Sequence, residues 1–501
     1  MMGFKTTTGM VLCAIATPAV AELQTPGYMN ITSDASYRLL IPSESGGVTA
    51  FGETRDESGK SDIAVRRVQA DMSTAWTLEF AGSKYENDWL LDAAEAPDGA
   101  VTILGWIQDD DHGWTERKLL VARVSSTGEV EWTREFADNG LNGSWNSAHK
   151  ARLTTGPDGR TCIVDNIAYE SIQVRSLDNQ GNLEWASSID RVESGIEMSL
   201  EIQLNDDGDV LVGGLWSDQD GSGHFYTSLD AGGTEQWTHL VNPEGTGLSE
   251  RSFIKVDSQG NWRVAGNLSG GNWSSSVYVA LLTPEGDLKW MTPYSHQEAD
   301  SIIVTDVALQ SDDSVLIGGA CWFPAKSIFA MKVGPNGSID WSHVNLQLFG
   351  DDDHLINGMA THEDGRIELT GTYSQSVDAG IDAMQMAVSL SADGDVIETG
   401  LWNHAGFADE SHDVAVDSHG HVYICGFTNN TSMGNQSDGM VMKIRRCEAD
   451  VQGDGLVGVD DLLLVLSAYG TDQPNADLND DGSIDVSDVL FILKNWDDCG
   501  D

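Results

Sequence analysis

The sequence predicts an all-β body of eight similar units, followed by a small α-helical domain. Three observations lead to this prediction. Residues 38–446 repeat with a period of about 52 residues. Each repeat holds short apolar runs separated by glycine-type turns, a pattern typical of strands joined by tight turns. The last 55 residues, 447–501, abandon that pattern and carry two acidic loops, each followed by an apolar, helix-like stretch.

Two marks define the repeat. The first is a turn residue that occurs eight times: Gly47, Gly99, Gly159, Gly208, Gly260, Asp313, Gly365 and Gly420. The second is a glycine five or six residues later in seven repeats: Gly52, Gly105, Gly214, Gly266, Gly319, Gly371 and Gly426. The third repeat has Asp165 at the second mark. Short apolar runs before, between and after the marks predict successive strands of one sheet.

Tryptophan opens the last strand of six repeats, at Trp76, Trp132, Trp185, Trp237, Trp290 and Trp341, spaced 51–56 residues apart. Four short strands in each of eight units predict an eight-bladed β-propeller, with a seven-bladed ring and one degenerate unit as the alternative. One blade cannot bury both faces, so neighbouring blades stack. We expect the tryptophans to fill the gaps between them.

The eighth repeat ends before its fourth strand. The segment 28–32 precedes the first repeat and is suited to complete the last blade. Such pairing would close the ring and hide the sheet edges.

The repeats resemble known families. Residues 413–428 are similar to the repeats of secreted bacterial β-propeller proteins, and residues 309–340 to the related delta-60 repeat. Residues 177–185 resemble the tryptophan-docking motif of eight-bladed quinoprotein dehydrogenases. These resemblances imply the fold and leave the function open, since propellers host many activities.

The two acidic loops lie 27 residues apart and have the ligand spacing of EF-hand calcium loops. Oxygen-bearing side chains stand at positions 1, 3, 5 and 12, glycine stands at position 6, and position 7 supplies a backbone carbonyl. The predicted ligands of two calcium ions are Asp450, Gln452, Asp454, Leu456 and Asp461 in the first loop, and Asp477, Asn479, Asp481, Ser483 and Asp488 in the second. Position 8 is apolar in both loops (Val457 and Ile484), as back-to-back pairing requires.

Aspartate at position 12, and the lack of an obvious helix before either loop, resemble a type I dockerin over residues 447–501. The resemblance implies a cohesin-type partner or a cell-surface component. In dockerins, positions 10 and 11 contact cohesin; here they are Val459-Asp460 and Val486-Ser487, which differ from the Ser/Thr pairs of cellulosomal dockerins. The first loop is the weaker one, because Gln452 and Gly458 replace a carboxylate and a water-anchoring side chain.

Six cysteines are present. Cys447 and Cys499 bracket the predicted calcium domain, and we predict a disulfide between them, which would stabilise it by roughly 4 kcal/mol. Cys162, Cys321 and Cys425 fall in different repeats and are expected to be separate buried thiols, since their wide spacing lacks the ligand pairs of a metal site.

Residues 1–21 have the pattern of a secretory signal peptide cut after Ala21; a lipoprotein site at Cys13 fits less well. The predicted division is therefore a signal peptide at 1–21, a propeller at 22–446 and a calcium-binding domain at 447–501, in a secreted or cell-surface protein without a transmembrane segment. The net charge of −52, from 79 acidic and 27 basic residues, argues against nucleic acid as a partner.

Catalytic residues could not be assigned from sequence motifs. The leading hypothesis is a non-catalytic propeller that acts as a binding platform and is attached through the calcium domain. One alternative is a carbohydrate-active enzyme or accessory protein in polysaccharide degradation, because dockerins accompany such machinery; the other is a purely structural surface protein. Contact with carbohydrate would use aromatic residues in the variable loops: Trp106, Trp114, Trp216, Trp273 and Trp322.

Overall fold

The computed structural model describes residues 21–496 except for 23–27, 33, 56–58, 83–86, 110–115, 138–150, 168–170, 191–195, 218–220, 242–245, 248–250, 271–274, 297–300, 324, 347, 350–352, 378–379, 404–407, 430–436, 445–448, 450, 452–456, 471–475, 477 and 479–482. Within these residues the chain forms eight sheets: seven are built on four antiparallel strands in chain order, and the eighth on three such strands and one N-terminal strand. Two N-terminal strands, β1 (Ala21–Glu22) and β2 (Tyr28–Thr32), come first and join blades at the far end of the chain.

Blade 1 holds β3 (Ala35–Pro42), β4 (Val48–Arg55), β5 (Ser61–Val68) and β6 (Thr74–Phe80). Blade 2 holds β7 (Trp89–Glu95), β8 (Val101–Asp109), β9 (Glu116–Val124) and β10 (Val130–Ala137). Blade 3 holds β11 (Arg152–Thr155), β12 (Thr161–Ile167), β13 (Ser171–Leu177) and β14 (Leu183–Ile189). Blade 4 holds β15 (Ile196–Leu204), β16 (Val210–Ser217), β17 (Ser222–Leu229) and β18 (Glu235–Val241).

Blade 5 holds β19 (Thr246–Gly247), β20 (Ser252–Val256), β21 (Trp262–Gly270), β22 (Ser275–Leu282) and β23 (Leu288–Tyr294). Blade 6 holds β24 (Ser301–Leu309), β25 (Val315–Phe323), β26 (Ala325–Val333) and β27 (Ile339–Leu346). Blade 7 holds β28 (Asp353–Thr361), β29 (Ile367–Val377), β30 (Gly380–Leu390) and β31 (Val396–Trp402). Blade 8 holds β32 (Asp409–Val416), β33 (Val422–Asn429) and β34 (Ser437–Ile444).

The first full-length strand of each blade contacts its counterpart in the next blade, from β3 through β7, β11, β15, β20, β24, β28 and β32 and back to β3. These eight inner strands therefore surround a central channel. The prediction of eight blades is confirmed, and the seven-bladed alternative is wrong.

Ring closure follows the prediction from the sequence. Strand β2 pairs with β34 in an antiparallel register that runs from Tyr28 opposite Lys443 to Thr32 opposite Gly439. It supplies the fourth strand of blade 8, so the beginning of the described chain completes the last blade. Strand β1 adds a parallel edge strand to β31 in blade 7.

The periodic tryptophans lie between blades, as predicted. Each indole packs on a positive-φ glycine in the last turn of the next blade; Trp237, for example, lies against Gly286, where a Cβ would approach the ring to 2.6 Å. In five of the six, the indole N–H donates to the backbone carbonyl two residues before that glycine, as Trp237 does to Pro284 at 2.7 Å. Apolar clusters that span adjacent blades fill the remaining space.

The glycines of the second mark have a packing reason. A β-bulge in the inner strand brings its backbone against the second strand, so that a Cβ on Gly52 would lie 1.9 Å from the Ser36 carbonyl oxygen. The same approach occurs at Gly426, where the distance to the Glu410 oxygen would be 1.8 Å. In blade 3, the described pairing of β11 with β12 has no bulge, and Asp165 is tolerated there.

Beyond the propeller lie two short helices, α1 (Val459–Ala468) and α2 (Val486–Lys494), which contact each other. Their shared core contains Val457, Val465, Ile484 and Ile492, all nearly inaccessible to solvent. No helix in the described part of the chain is long and apolar enough to cross a membrane.

Candidate functional site

The two C-terminal helices begin in the same way. Asp461 and Asp488, the predicted position-12 ligands, stand in the first turn of α1 and α2, and both are 0% exposed. Asp461 Oδ2 accepts the N–H of Gly458 at 2.7 Å, and Asp488 Oδ2 accepts that of Asp485 at 2.8 Å. Burial of a carboxylate is costly without such partners, and the helix N-terminus favours negative charge. The chain thus places two carboxyl groups in equivalent buried positions.

Leu478 in the second loop is hydrogen-bonded to the first turn of α2. Asp488 Oδ1 accepts the N–H of Leu478, which is position 2 of that loop, at 2.7 Å. Val457 and Ile484, at position 8 of the two loops, are buried in one cluster, as the back-to-back arrangement predicts. The N–H of Gly470, just after α1, donates to the carbonyl of Ile484 at 2.9 Å and ties the two halves together.

Of the ten predicted calcium ligands, the structure describes Asp461, Ser483 and Asp488. Ser483 is exposed. The other seven lie outside the described residues: Asp450, Gln452, Asp454, Leu456, Asp477, Asn479 and Asp481. Cys447 and Cys499 also lie outside them, so the disulfide and the calcium sites remain predictions.

The sequence reasoning missed two exposed apolar stripes. Stripe 1 consists of Val459, Leu463 and Leu466 on α1, and stripe 2 of Val486, Leu490 and Leu493 on α2. These six side chains are between 47% and 59% exposed, and Tyr469 beside stripe 1 is 52% exposed. The spacing i, i+4, i+7 places each stripe on one helix face, and the 27-residue repeat relates the stripes. That spacing is visible in the sequence, but only the structure shows which apolar face is left uncovered.

A second group of polar residues lines the central channel. Just after the inner-strand bulges of blades 2, 6 and 8 stand Asp92, Asp306 and Asp413. One oxygen of each accepts an N–H from the inner strand of the next blade: Leu153 at 2.9 Å, Met359 at 2.8 Å and Leu40 at 2.7 Å, respectively. The other oxygen accepts the N–H of the following residue. These aspartates therefore brace neighbouring blades, and an aspartate seven residues before the turn residue was their signal in the sequence.

Glu201 stands just after the equivalent bulge in blade 4, and among the described residues its side chain has one hydrogen-bond contact, with the Gln203 amide at 3.5 Å. Burial raises the pKa of Glu201 to about 7, although the positive charges of Lys255 and Arg152 oppose this shift. Burial likewise raises the pKa of Asp413 to about 7, reinforced by the charge of Asp306. Two channel carboxyls thus change charge near neutral pH.

A cavity of about 1200 Å³ opens among the first turns and adjoining segments of blades 1–4. Its charged lining includes Glu44, Arg67, Glu95 and Asp98. Burial lowers the pKa of Arg67, partly offset by Glu95, while burial raises the pKa of Glu95. The charged side chains of the lining are mostly acidic, because Asp71 and Asp206 join Glu44, Glu95 and Asp98 against the single base Arg67.

The five tryptophans proposed for carbohydrate contact differ in their exposure to solvent. Trp106 and Trp216 are buried in the packing of the blades, which removes them as sugar platforms. Trp114 and Trp273 lie outside the described residues. Trp322 is 45% exposed, and the Lys326 ammonium lies 4.8 Å from the centroid of its ring. Together with Arg251, it lines a pocket of about 220 Å³.

Cys162, Cys321 and Cys425 are buried free thiols in β12, β25 and β33, as predicted. Burial raises the pKa of Cys162 to about 12 and that of Cys425 well above its ordinary value. Neutral thiols of this kind are unreactive core residues.

The ring of eight sheets defines the chain as an eight-bladed β-propeller protein. No protein-family model matches it, and no curated protein matches its sequence. Among solved structures, Sqt1 from Chaetomium thermophilum is 10% identical, with a TM-score of 0.48 over 83% of this chain and 100% of that one. Drosophila Plexin A in complex with Semaphorin 1b is 11% identical, with a TM-score of 0.43 over 87% and 91%. The β-propeller domain of the Trilobed protease from Pyrococcus furiosus is 10% identical, with a TM-score of 0.38 over 68% and 92%.

Proposed function

We propose that this protein is a secreted binding platform, attached to a cohesin-type protein partner through a dockerin-like module that folds around two calcium ions. The observation that carries the proposal is the pair of exposed apolar stripes. Six large aliphatic side chains in two short helices remain open to solvent, although the module buries a core of its own. Contiguous exposed apolar surface of this kind marks interaction sites.

The energetics favour a partner. Burial of one large aliphatic side chain is worth about 1.5–3 kcal/mol, so even partial coverage of one stripe offers several kilocalories per mole toward association. Val459 and Val486, at position 10 of the loops, begin the two stripes and are among the most exposed. In the resemblance to dockerins, position 10 is a contact position, which supports a cohesin-type partner with an apolar face.

Calcium would hold the helices in place. Each loop wraps oxygen ligands around an ion and delivers Asp461 or Asp488 at the start of its helix. Because the calcium ligands gather only in the folded loop, binding energy becomes folding energy. We therefore expect the module to lose helix and its partner together when calcium is removed.

The test uses the full chain and a recombinant type I cohesin domain, with binding measured by calorimetry at 5 mM calcium (on the order of saturation for an extracellular calcium site) and after chelation. The variant Leu463→Lys/Leu490→Lys places a charge in both stripes, and Leu183→Lys, at an exposed aliphatic position of blade 3, is the matched control. We expect calcium-dependent binding that the double variant weakens at least tenfold and the control leaves unchanged.

If calcium changes neither the circular dichroism nor the thermal unfolding of the chain, the calcium module is refuted. If calcium folds the module but neither cohesin nor a lysate fraction distinguishes the double variant from the control, the alternative of a purely structural surface protein is favoured. The enzyme alternative gains little support from the channel carboxylates described above, because Asp92, Asp306 and Asp413 are each held by backbone N–H groups, whereas glycosidases use two free carboxyl groups.

A further inference from the structure

The first turn of blade 8 carries an unusual concentration of metal-binding side chains. This histidine turn, residues 417–421, joins β32 to β33 and reads Asp-Ser-His-Gly-His. One ligand atom from each of Asp417, His419 and His421 lies within 4.8 Å of the other two. Donor atoms around a tetrahedral zinc ion are roughly 3.3 Å apart, so rotation of the two imidazole rings would bring a nitrogen of each to coordinating distance.

The fold does not need the histidines. The corresponding turn of blade 5 has Asp257 followed by Gln259 and Asn261. There, Asp257 Oδ1 accepts the N–H groups of Gln259 and Asn261 at 3.0 and 2.8 Å, and the Asn261 amide donates to Oδ2 at 3.2 Å. Asp417 makes the same contacts with His419 and His421. An amide side chain therefore satisfies this turn, and the imidazoles call for another explanation.

His421 is held as metal-binding histidines are. Its Nδ1 lies 2.9 Å from Asp417 Oδ2, and its side chain is 10% exposed. Its Nε2 is buried and has no hydrogen-bond partner among the described residues. A carboxylate that fixes one ring nitrogen while the other remains open is the usual second layer of a metal site. An unpaired buried nitrogen is otherwise costly, and a bound cation would remove that cost.

The surroundings can accept a cation. Arg67, which would oppose one, directs its guanidinium to Thr49 at 2.9 Å and to Ser45 and the Gly46 carbonyl at 3.4 Å. His419 is exposed and lies against Gly46 of blade 1, at the edge of the large cavity. The turn also bridges the ring seam, because Asp417 accepts the N–H of Gly47 and Ser418 donates to the Glu44 carbonyl.

We propose that the histidine turn binds one divalent transition-metal ion, of the zinc, cobalt or nickel class, through the imidazoles of His419 and His421 with the carboxylate of Asp417 beside them. Two imidazole nitrogens favour these ions over calcium, which takes oxygen ligands, and the Asp417 carboxylate orients the His421 ring. This site is independent of the C-terminal calcium loops. Bound metal would also stabilise the contact between blades 8 and 1.

The experiment titrates Co²⁺ and Zn²⁺ into the full chain saturated with calcium, so that the C-terminal loops are already filled. The variant His419→Gln/His421→Asn recreates the blade 5 turn and should fold normally. His239→Gln, on the outer strand of blade 4, is the control for loss of a histidine. We expect one additional Co²⁺, with visible d–d absorption, in the wild type and the control, and an affinity at least tenfold lower in the double variant.

Thermal unfolding supplies a second readout. Zinc should raise the melting temperature of the wild type and leave that of the double variant unchanged, while the two should match without zinc. If the double variant fails to fold, His419→Gln alone replaces it, because this exposed side chain leaves the bond between Asp417 and His421 intact. Equal cobalt affinity in the wild type and the variants, or no cobalt bound by the wild type, overturns the proposal.

Discussion

Single side chains connect neighbouring blades of this propeller, and the tryptophans show how. The indole of Trp237 donates to the Pro284 carbonyl in the next blade at 2.7 Å. Trp290 has the equivalent position, but the described residues give its N–H no hydrogen-bond partner. The equivalent carbonyl, that of Pro335, accepts instead from Arg263 at 2.9 Å, and the Arg263 guanidinium lies over the Trp290 ring.

This difference predicts unequal costs for the same substitution. Trp237→Phe loses ring area and a hydrogen bond worth about 1 kcal/mol, whereas Trp290→Phe loses similar area and removes a buried unpaired donor. We expect the free energy of unfolding of the propeller, measured by urea denaturation, to fall by about 1 kcal/mol more for Trp237→Phe. Equal losses would show that the N–H bond to the next blade contributes nothing measurable.

At the residue scale, the sequence predicts the role of residues that recur from repeat to repeat, but it does not predict contacts between residues that are distant in the chain. The tryptophans and the second-mark glycines recur at a fixed period, so their packing role could be predicted without coordinates. Asp92, Asp306 and Asp413 recur only in some blades, and their role depends on backbone N–H groups that come from the next blade. The histidine turn was visible as a string of residues, but the unpaired Nε2 of His421 was not.

At the scale of elements, the strand that closes the ring was predictable and the exposed helix faces were not. A missing fourth strand in the last repeat and an unassigned strand before the first define a single pairing, and β2 on β34 confirms it. Helices α1 and α2 carry apolar residues on more than one face. Their hydrophobic pattern alone therefore cannot distinguish the face that packs in the core from the stripes that remain exposed.

The closing strand allows a test by truncation. A variant lacking residues 1–27 retains β2, while one lacking residues 1–32 loses it, and both lose β1. We expect the longer truncation to expose the edge of β34 and to speed hydrogen exchange across residues 437–444 by about tenfold or more, since edge amides lose their partners. The shorter truncation is the control. Unchanged exchange in both variants would contradict the closure described above.

At the scale of the whole molecule, charge governs how stability responds to pH. The chain carries a net charge of −52, and desolvation in the channel raises the pKa of Glu201 from 4.5 to about 7 and that of Asp413 from 3.8 to about 7. A carboxyl whose pKa is higher in the folded state binds its proton more tightly there. The contribution of both groups is therefore complete below their ordinary pKa values and is lost as the pH rises through about 7.

We accordingly expect the free energy of unfolding to decline between pH 4.5 and 7.5, measured by urea denaturation at fixed ionic strength. Glu201→Gln should flatten this decline and make the protein more stable than the wild type at pH 8, because the buried charge is gone. Glu129→Gln, in an exposed turn of blade 2, is the matched control. A parallel decline in the wild type and Glu201→Gln would show that the channel carboxyl is not responsible.

The pairing of β2 with β34 also determines when the ring can close during biosynthesis. About 400 residues separate the two strands. At roughly 5–20 residues per second, a ribosome needs about 20–80 s to synthesise these intervening residues. Throughout that interval the earliest strand has no partner, and the growing stack of blades presents an uncovered apolar face at each end. We therefore expect the nascent chain to be most prone to aggregation just before β34 emerges. At that point seven blades have formed, but β2 still has no partner and the ring is open.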